Sequence, residues 1–294
     1  MQAADPMAEV PVIDVLAYMN KVEGQWEDEC KKVAESLHKY GILVFKDPRF
    51  DEMENQEYIE MMERYFRNRG EKYYKGEILK DAKPEIFYQA GVTPELKEKA
   101  RNHEKMVAGI AADHKPLSTF PPGYDAKWRF FWNIGERPAE KESAFPKVIP
   151  EDFPEWEEKM NTWGGRLLDA GELACEMAAI GMGLPANTFT DMLQKGPHLL
   201  APTGSDLEKW DVGTAFAGFH YDLNFLTCHG KSRYPGLFVW LRDLRKAQVK
   251  VPAGCFLMQA GAMFEHITGG YVLAGYHEVI YTEGTKAALV KAKE

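Results

Sequence analysis

From Leu199 onward the chain breaks into short β-prone segments separated by turn residues, at 214–228, 236–242, 254–260, 271–274 and 276–282. Strands this short bury their apolar sides only by packing one antiparallel sheet on another or by closing a barrel. The preceding part reads differently. Val10-Pro11-Val12-Ile13-Asp14-Val15 suits an edge strand because of its proline. Residues 26–40 carry Cys30, Val33, Ala34, Leu37 and Tyr40 at helical spacing, and Gly41 stops that helix before the strand Ile42-Leu43-Val44-Phe45. A second amphipathic helix is predicted over 53–70, stopped by Asn68-Arg69-Gly70, with helices over 94–113 and a long one over 155–183. Trp128-Arg129-Phe130-Phe131-Trp132-Asn133-Ile134 reads as a buried strand. The expected class is α+β.

No proline- or serine-rich linker divides the chain, so one domain is expected over 1–294, with a mainly helical support over about 1–198 and a sheet-forming half over about 199–294. Its 45 acidic against 36 basic side chains, a formal charge of -9, repel phosphate backbones and anionic membrane surfaces, which argues against nucleic acid and membrane partners. No run reaches the roughly twenty apolar residues of a membrane span, and the N-terminus lacks the basic and apolar parts of a signal peptide, so a cytoplasmic protein is expected. Four cysteines without CxxC pairing predict reduced, mostly buried thiols.

Within the sheet-forming half lies His220-Tyr221-Asp222. On a strand, residues two apart share a face, so one imidazole and one carboxylate would project together. His277, on a second strand-like run, could supply a third ligand. Two histidines and a carboxylate on one side of a metal leave the other side open, the arrangement of non-haem Fe(II) oxygenases. A solvated histidine beside a surface aspartate is the competing reading of an isolated His-x-Asp.

Several segments, in order, are similar to those of the isopenicillin N synthase-like Fe(II)/2-oxoglutarate-dependent dioxygenases. Val10 to Asp14 resembles that family's opening strand, Cys30 to Phe45 its first helix and following strand, and Trp128-Arg129-Phe130-Phe131 a substrate-side strand. His220-x-Asp222 with Leu226-Thr227, Gly236-Leu237-Phe238-Val239, Pro252-Ala253-Gly254-Cys255-Phe256, Gly261 and His277-Glu278-Val279 follow in the family's order. The resemblance implies a double-stranded β-helix, or jelly roll, with Fe(II) on His220, Asp222 and His277. It also implies 2-oxoglutarate and dioxygen as cosubstrates in the hydroxylation, desaturation or oxidative cyclisation of a small organic molecule. Arg129, Phe131 and Asn133 would face that substrate, although an aromatic core and a structural salt bridge are the plainer readings.

Two features depart from the family. Its Arg-x-Ser pair, which grips the far carboxylate of 2-oxoglutarate beyond the distal histidine, has no counterpart between Glu278 and Glu294. Either Lys286 substitutes as a point charge, or the pair lies beyond a truncated end; the second is preferred, because a jelly roll stopping there leaves an open sheet edge. The family's Asn-x-Tyr-Pro is replaced by Leu199-Leu200-Ala201-Pro202. An oxidase of the same fold needing no keto acid, as isopenicillin N synthase is, therefore remains a reading, as does a degenerate jelly roll that binds without catalysis. His229, expected in a turn, and His266, expected solvated, are the competitors for the third ligand. Substrate and oligomeric state are not legible.

Overall fold

The structure, a computed structural model, describes residues 6–138 and 145–293. The chain opens with β1 (Val12–Asp14), α1 (Val15–Met19), α2 (Trp26–Tyr40), β2 (Ile42–Lys46) and α3 (Glu52–Tyr74). It continues through β3 (Gly91–Thr93), α4 (Glu104–Val107), β4 (Trp128–Asn133), α5 (Trp156–Gly181), α6 (Thr190–Leu193), β5 (Leu199–Leu200) and β6 (Thr203–Gly204). Then come β7 (Ala215–His220), β8 (Leu226–His229), β9 (Leu237–Trp240), β10 (Lys246–Gln248), β11 (Cys255–Ala260), α7 (Ala262–Ile267), β12 (Tyr276–Ile280) and α8 (Glu283–Lys293).

One sheet runs β1-β2-β11-β8 and a second runs β10-β9-β12-β7, antiparallel throughout except for the parallel β1–β2 pair. Val44 and Leu257 of the first sheet and Val239 and Ala247 of the second share one apolar core, so inner faces of the two sheets pack together. The other face of the first sheet is covered by α2 and α5, through Phe45, Phe256 and Met258 against Val33, Cys175 and Ala178. Covered on both faces, β11 is buried at every position, which is why Cys255 to Ala260 reads as an apolar run interrupted at Gln259 alone. A smaller sheet, β3-β4-β5 with β6 beside β4, turns Trp128, Phe130 and Trp132 toward Tyr65 of α3 and Trp156 of α5.

The ends of α2 follow expectation: Gly41 sits at φ 72° and its N–H closes on the Leu37 carbonyl. α3 instead runs through the expected stop to Tyr74. Arg69 is inside the helix, 5% exposed, and bonded to Asp81 and Asp152. The helices expected over 94–113 reduce to α4 and a single 3-10 turn, Ala112–His114. This charged segment lacks a continuous apolar stripe and lies over the outer face of the second sheet, where Val107 and Ile110 meet Phe219 and Trp240. Residues 271–274 form no strand, against expectation, and the chain bends at Tyr271 and Val272. After β12 the chain enters α8, and among the described residues no strand pairs with β8 on the side away from β11. No described helix is long and apolar enough to cross a membrane. The four cysteines are free, and three of them are buried.

Candidate metal centre

His220 ends β7 and faces His277 of β12 directly across the ladder, their rings 4.2 Å apart. Asp222 is not on the strand. The chain leaves the sheet after His220, so strand alternation does not bring the carboxylate to its partners; a turn does. Its main chain is tied to the start of α7, where Ala262 N–H donates to the Asp222 carbonyl at 2.8 Å and Met263 N–H to that of Asn224 at 3.1 Å. Gly261 permits this approach, since a Cβ there would lie 2.1 Å from the Asn224 oxygen. The Thr227 hydroxyl, accepting from Asn224 Nδ2, donates to Asp222 Oδ2 at 2.5 Å.

One ligand atom from each of His220, Asp222 and His277 lies within 4.8 Å of the others. Asp222 Oδ1 is 3.7 Å from His220 Nε2, and Asp222 Oδ2 is 4.0 Å from His277 Nε2. Two atoms that share an ion at about 2.0–2.2 Å can be at most about 4.3 Å apart, so both separations fit a shared metal. Each Nδ1 faces the carbonyl two residues back in its own chain, Gly218 at 2.6 Å and Gly275 at 3.3 Å. Donating Nδ1–H there leaves the Nε2 lone pair for a metal. Burial, with His220 adding to it, pushes the His277 imidazole down to about 3, which keeps it in the neutral, ligating form. Burial pushes the Asp222 carboxyl up, but the imidazoles of His277 and His220 and the Thr227 hydroxyl outweigh it and hold it near about 2.

The β7–β12 ladder is irregular here, with a register shift between His277 and Val279. The amides this leaves on β7 are met by side chains from the N-terminal half: Gly218 N–H donates to Asp125 Oδ1 and Phe219 N–H to Ser118 Oγ, both at 2.9 Å. Ser118 Oγ then donates to Glu278 Oε2 at 2.6 Å. Glu278, wholly buried, also accepts from the Leu117 and Ser118 amides and from Lys246 Nζ. A neighbour of each histidine ligand is thus tied to the same serine, which fixes the two strands where the ligands sit. Tyr221 and Tyr276 turn the other way and line a cavity of about 670 Å³ with Trp240, Arg242 and His266, behind the triad and outside the paired sheets.

The remaining expected residues are placed as follows. Arg129, Phe131 and Asn133 share the less buried face of β4. The Arg129 guanidinium pairs with Glu98 and lies 3.6 Å from the Phe131 ring centre, while its Nε is buried without a hydrogen-bond partner. Asn133 donates to the Phe145 carbonyl. Lys286 is exposed on α8, which begins beyond the far end of β12 from His277. His266 is exposed. His229 ends a strand rather than lying in a turn, and its ring is 5.7 Å from that of His277.

No protein-family model and no curated protein matches the sequence. Solved structures do match by fold. A full-length Neurospora crassa protein in complex with alpha-KG superposes with a TM-score of 0.69 at 17% identity, covering 93% of this chain and 80% of that one. A dioxygenase for auxin oxidation from rice gives 0.63 at 16% identity, covering 94% and 80%. JOX2, solved with 2OG, Fe and JA, gives 0.61 at 14% identity, covering 93% and 70%. The fold is shared with 2OG-Fe(II) oxygenases.

Proposed function

We propose that this chain is a non-haem Fe(II) oxygenase, a single oxygenase domain on a double-stranded β-helix, that uses 2-oxoglutarate and dioxygen to oxidise a small organic molecule. The observation that carries the reading is the convergence of His220, Asp222 and His277 inside a fold shared with proteins solved with that cosubstrate. The donor set fits Fe(II): two neutral imidazole nitrogens and one carboxylate, gathered on one side of the ion. When bound, iron and the keto acid supply the oxidising chemistry. The chain's part is to hold three ligands with fixed tautomers, to keep Asp222 ionised through Thr227, and to shield the His277 side of the site from water. Arg129, Phe131 and Asn133 are proposed for the substrate wall, with the unpartnered Arg129 Nε as its polar group.

Adding Fe(II) and 2-oxoglutarate to the protein without oxygen is expected to produce a weak visible band, and admitting air to produce succinate. Neither should appear with His277→Ala. Absence of both in the wild type refutes the reading. One observation favours a second reading, an oxidase of this fold that needs no keto acid: α8 stands where an Arg-x-Ser strand is expected, and Lys286 faces solvent. Oxygen uptake with a substrate, independent of 2-oxoglutarate, identifies that case. A metal-free binding protein is identified by a biological activity that survives His277→Ala.

A further inference from the structure

Strand alternation turns Tyr276 away from the face that carries His277, and Tyr276 and Tyr221 both line the cavity of about 670 Å³ outside the paired sheets. That volume lies within the roughly 300–1,000 Å³ of small-molecule sites. One wall is aromatic and fixed. Tyr276 pairs with Trp240 across the ladder, stacks on Phe219 with ring centres 4.7 Å apart, and meets the Tyr221 ring edge-on at 5.2 Å. The lining also carries one charge of each sign, on Arg242 and Glu265. Arg242 donates to the carbonyls of His38, Gly270 and Tyr271, which leaves hydrogens on Nε and Nη2 to give. Glu265 accepts from Ala274 N–H through Oε2, which leaves Oε1 open, and among the described residues neither side chain forms an ion pair.

A guanidinium and a carboxylate held by backbone contacts beside an aromatic wall match a molecule that has an anion, a cation and a ring. A ligand of one sign alone satisfies one of the two groups and meets its own charge in the other. We propose that this cavity binds an aromatic α-amino acid, with its carboxylate on Arg242, its ammonium on Glu265 and its ring against Tyr221 and Tyr276, as an effector of the metal centre. Such a ligand does not touch the metal, because β7 and β12 lie between them. The link is nonetheless short. Tyr221 sits between His220 and Asp222, the Ala262 N–H that donates to the Asp222 carbonyl belongs to the lining, and so does Gly275, whose carbonyl faces His277 Nδ1. An occupant that holds these groups in place favours the metal-bound arrangement, and the metal favours the occupant by the same factor. The inference goes beyond the reaction proposed above and needs only that the triad holds a metal.

The test is calorimetric titration of L-tryptophan into the metal-free protein and into the protein with Mn(II), beside indole-3-propionate, tryptamine and L-alanine, which lack the ammonium, the carboxylate and the ring. Wild type is expected to bind tryptophan without metal and each analogue about tenfold or more weakly. Glu265→Gln, which keeps an acceptor for the Ala274 amide, should abolish the preference for tryptophan over indole-3-propionate. Arg242→Gln should abolish the preference over tryptamine. Both readouts are ratios, which a general loss of structure does not move selectively. Saturating tryptophan should tighten Mn(II) about fivefold or more. No binding of tryptophan to the metal-free protein overturns the assignment, as do analogues that bind as tightly, or variants that keep the wild-type ratios. Mn(II) affinity unchanged by tryptophan overturns the effector role. A protein that takes up tryptophan but no Mn(II) refutes the metal triad and the effector role, and leaves the amino-acid site standing.

Discussion

Glu278→Ala should destabilise the protein more than any surface change and should weaken metal binding without touching a ligand. The carboxylate is 0% exposed and accepts from Leu117 N–H, Ser118 N–H, Ser118 Oγ and Lys246 Nζ at 2.6–3.0 Å. Removing it takes the anionic partner from an ammonium that is only 12% exposed, leaving that ammonium the Lys115 carbonyl at 3.4 Å, and leaves two backbone amides unpaired. Breaking one side of a buried pair costs about 3–5 kcal/mol. With an unfolding entropy of about 2.1 cal/mol/K per residue, 294 residues give about 0.6 kcal/mol/K, so the melting temperature should fall by about 5–8 °C. Lys246→Met should cost about half as much, because the carboxylate keeps its three other donors. Differential scanning fluorimetry reads both, and repeating it with Mn(II) reads the site: Ser118 links Glu278 to the Phe219 amide, so the metal-induced rise should shrink in Glu278→Ala. A fall below about 2 °C, or Lys246→Met proving as costly as Glu278→Ala, refutes the argument that the backbone amides and the ammonium depend on this one group.

Three further outcomes are expected. Gly261→Ala sets a Cβ against the Asn224 carbonyl, displaces the turn that carries Asp222, and should weaken Mn(II) about tenfold or more by calorimetry, with His220 and His277 unchanged. Thr227→Val removes the hydroxyl donor to Asp222 and should cost about 10–100-fold in metal affinity at neutral pH, measured the same way. Asp152 is held well below the usual carboxylate range by Arg69, so its contribution to stability is present above its unfolded value near about 3.9 and is lost as pH falls toward its folded value. Asp152→Asn should therefore flatten the loss of melting temperature below about pH 4, by no more than about 1 kcal/mol because the carboxylate is 41% exposed.

Much of the fold was legible because its signals are local. Gly41 stops α2 where a left-handed residue is required, and the alternation around His277 puts it with Val279 on one face. The failures share a cause as well. The Asn68-Arg69-Gly70 stop was misread because an arginine bound by two distant aspartates behaves as a core residue, and Asp81 and Asp152 are remote in sequence. The helices expected over 94–113 are largely absent because the segment's few apolar residues serve as pegs onto the second sheet. The structure brings the three expected ligands together, yet for Asp222 strand alternation is not the reason: the carboxylate is delivered by a turn that Gly261 accommodates.

His229 was set aside on its neighbours, Gly230-Lys231-Ser232, which do read as a turn, although the strand ends one residue before that turn begins. A usable signal was present two residues back. If Thr227 follows the His-x-Asp motif on a strand and reaches the aspartate, His229 must share its face. The same reasoning applies to Glu278, whose side alternates with the ligand side in Tyr276, Glu278 and Ile280. A carboxylate in an otherwise apolar face is tolerated only with buried partners, and those partners, Ser118 and Lys246, come from either side of the metal-binding strands. The ligand positions are therefore set from outside the ligand-bearing strands, by a serine and an aspartate of the N-terminal half that close the irregular ladder beneath His220. Sequence change around Ser118 or Asp125 should consequently alter the metal site as surely as change in its own strands.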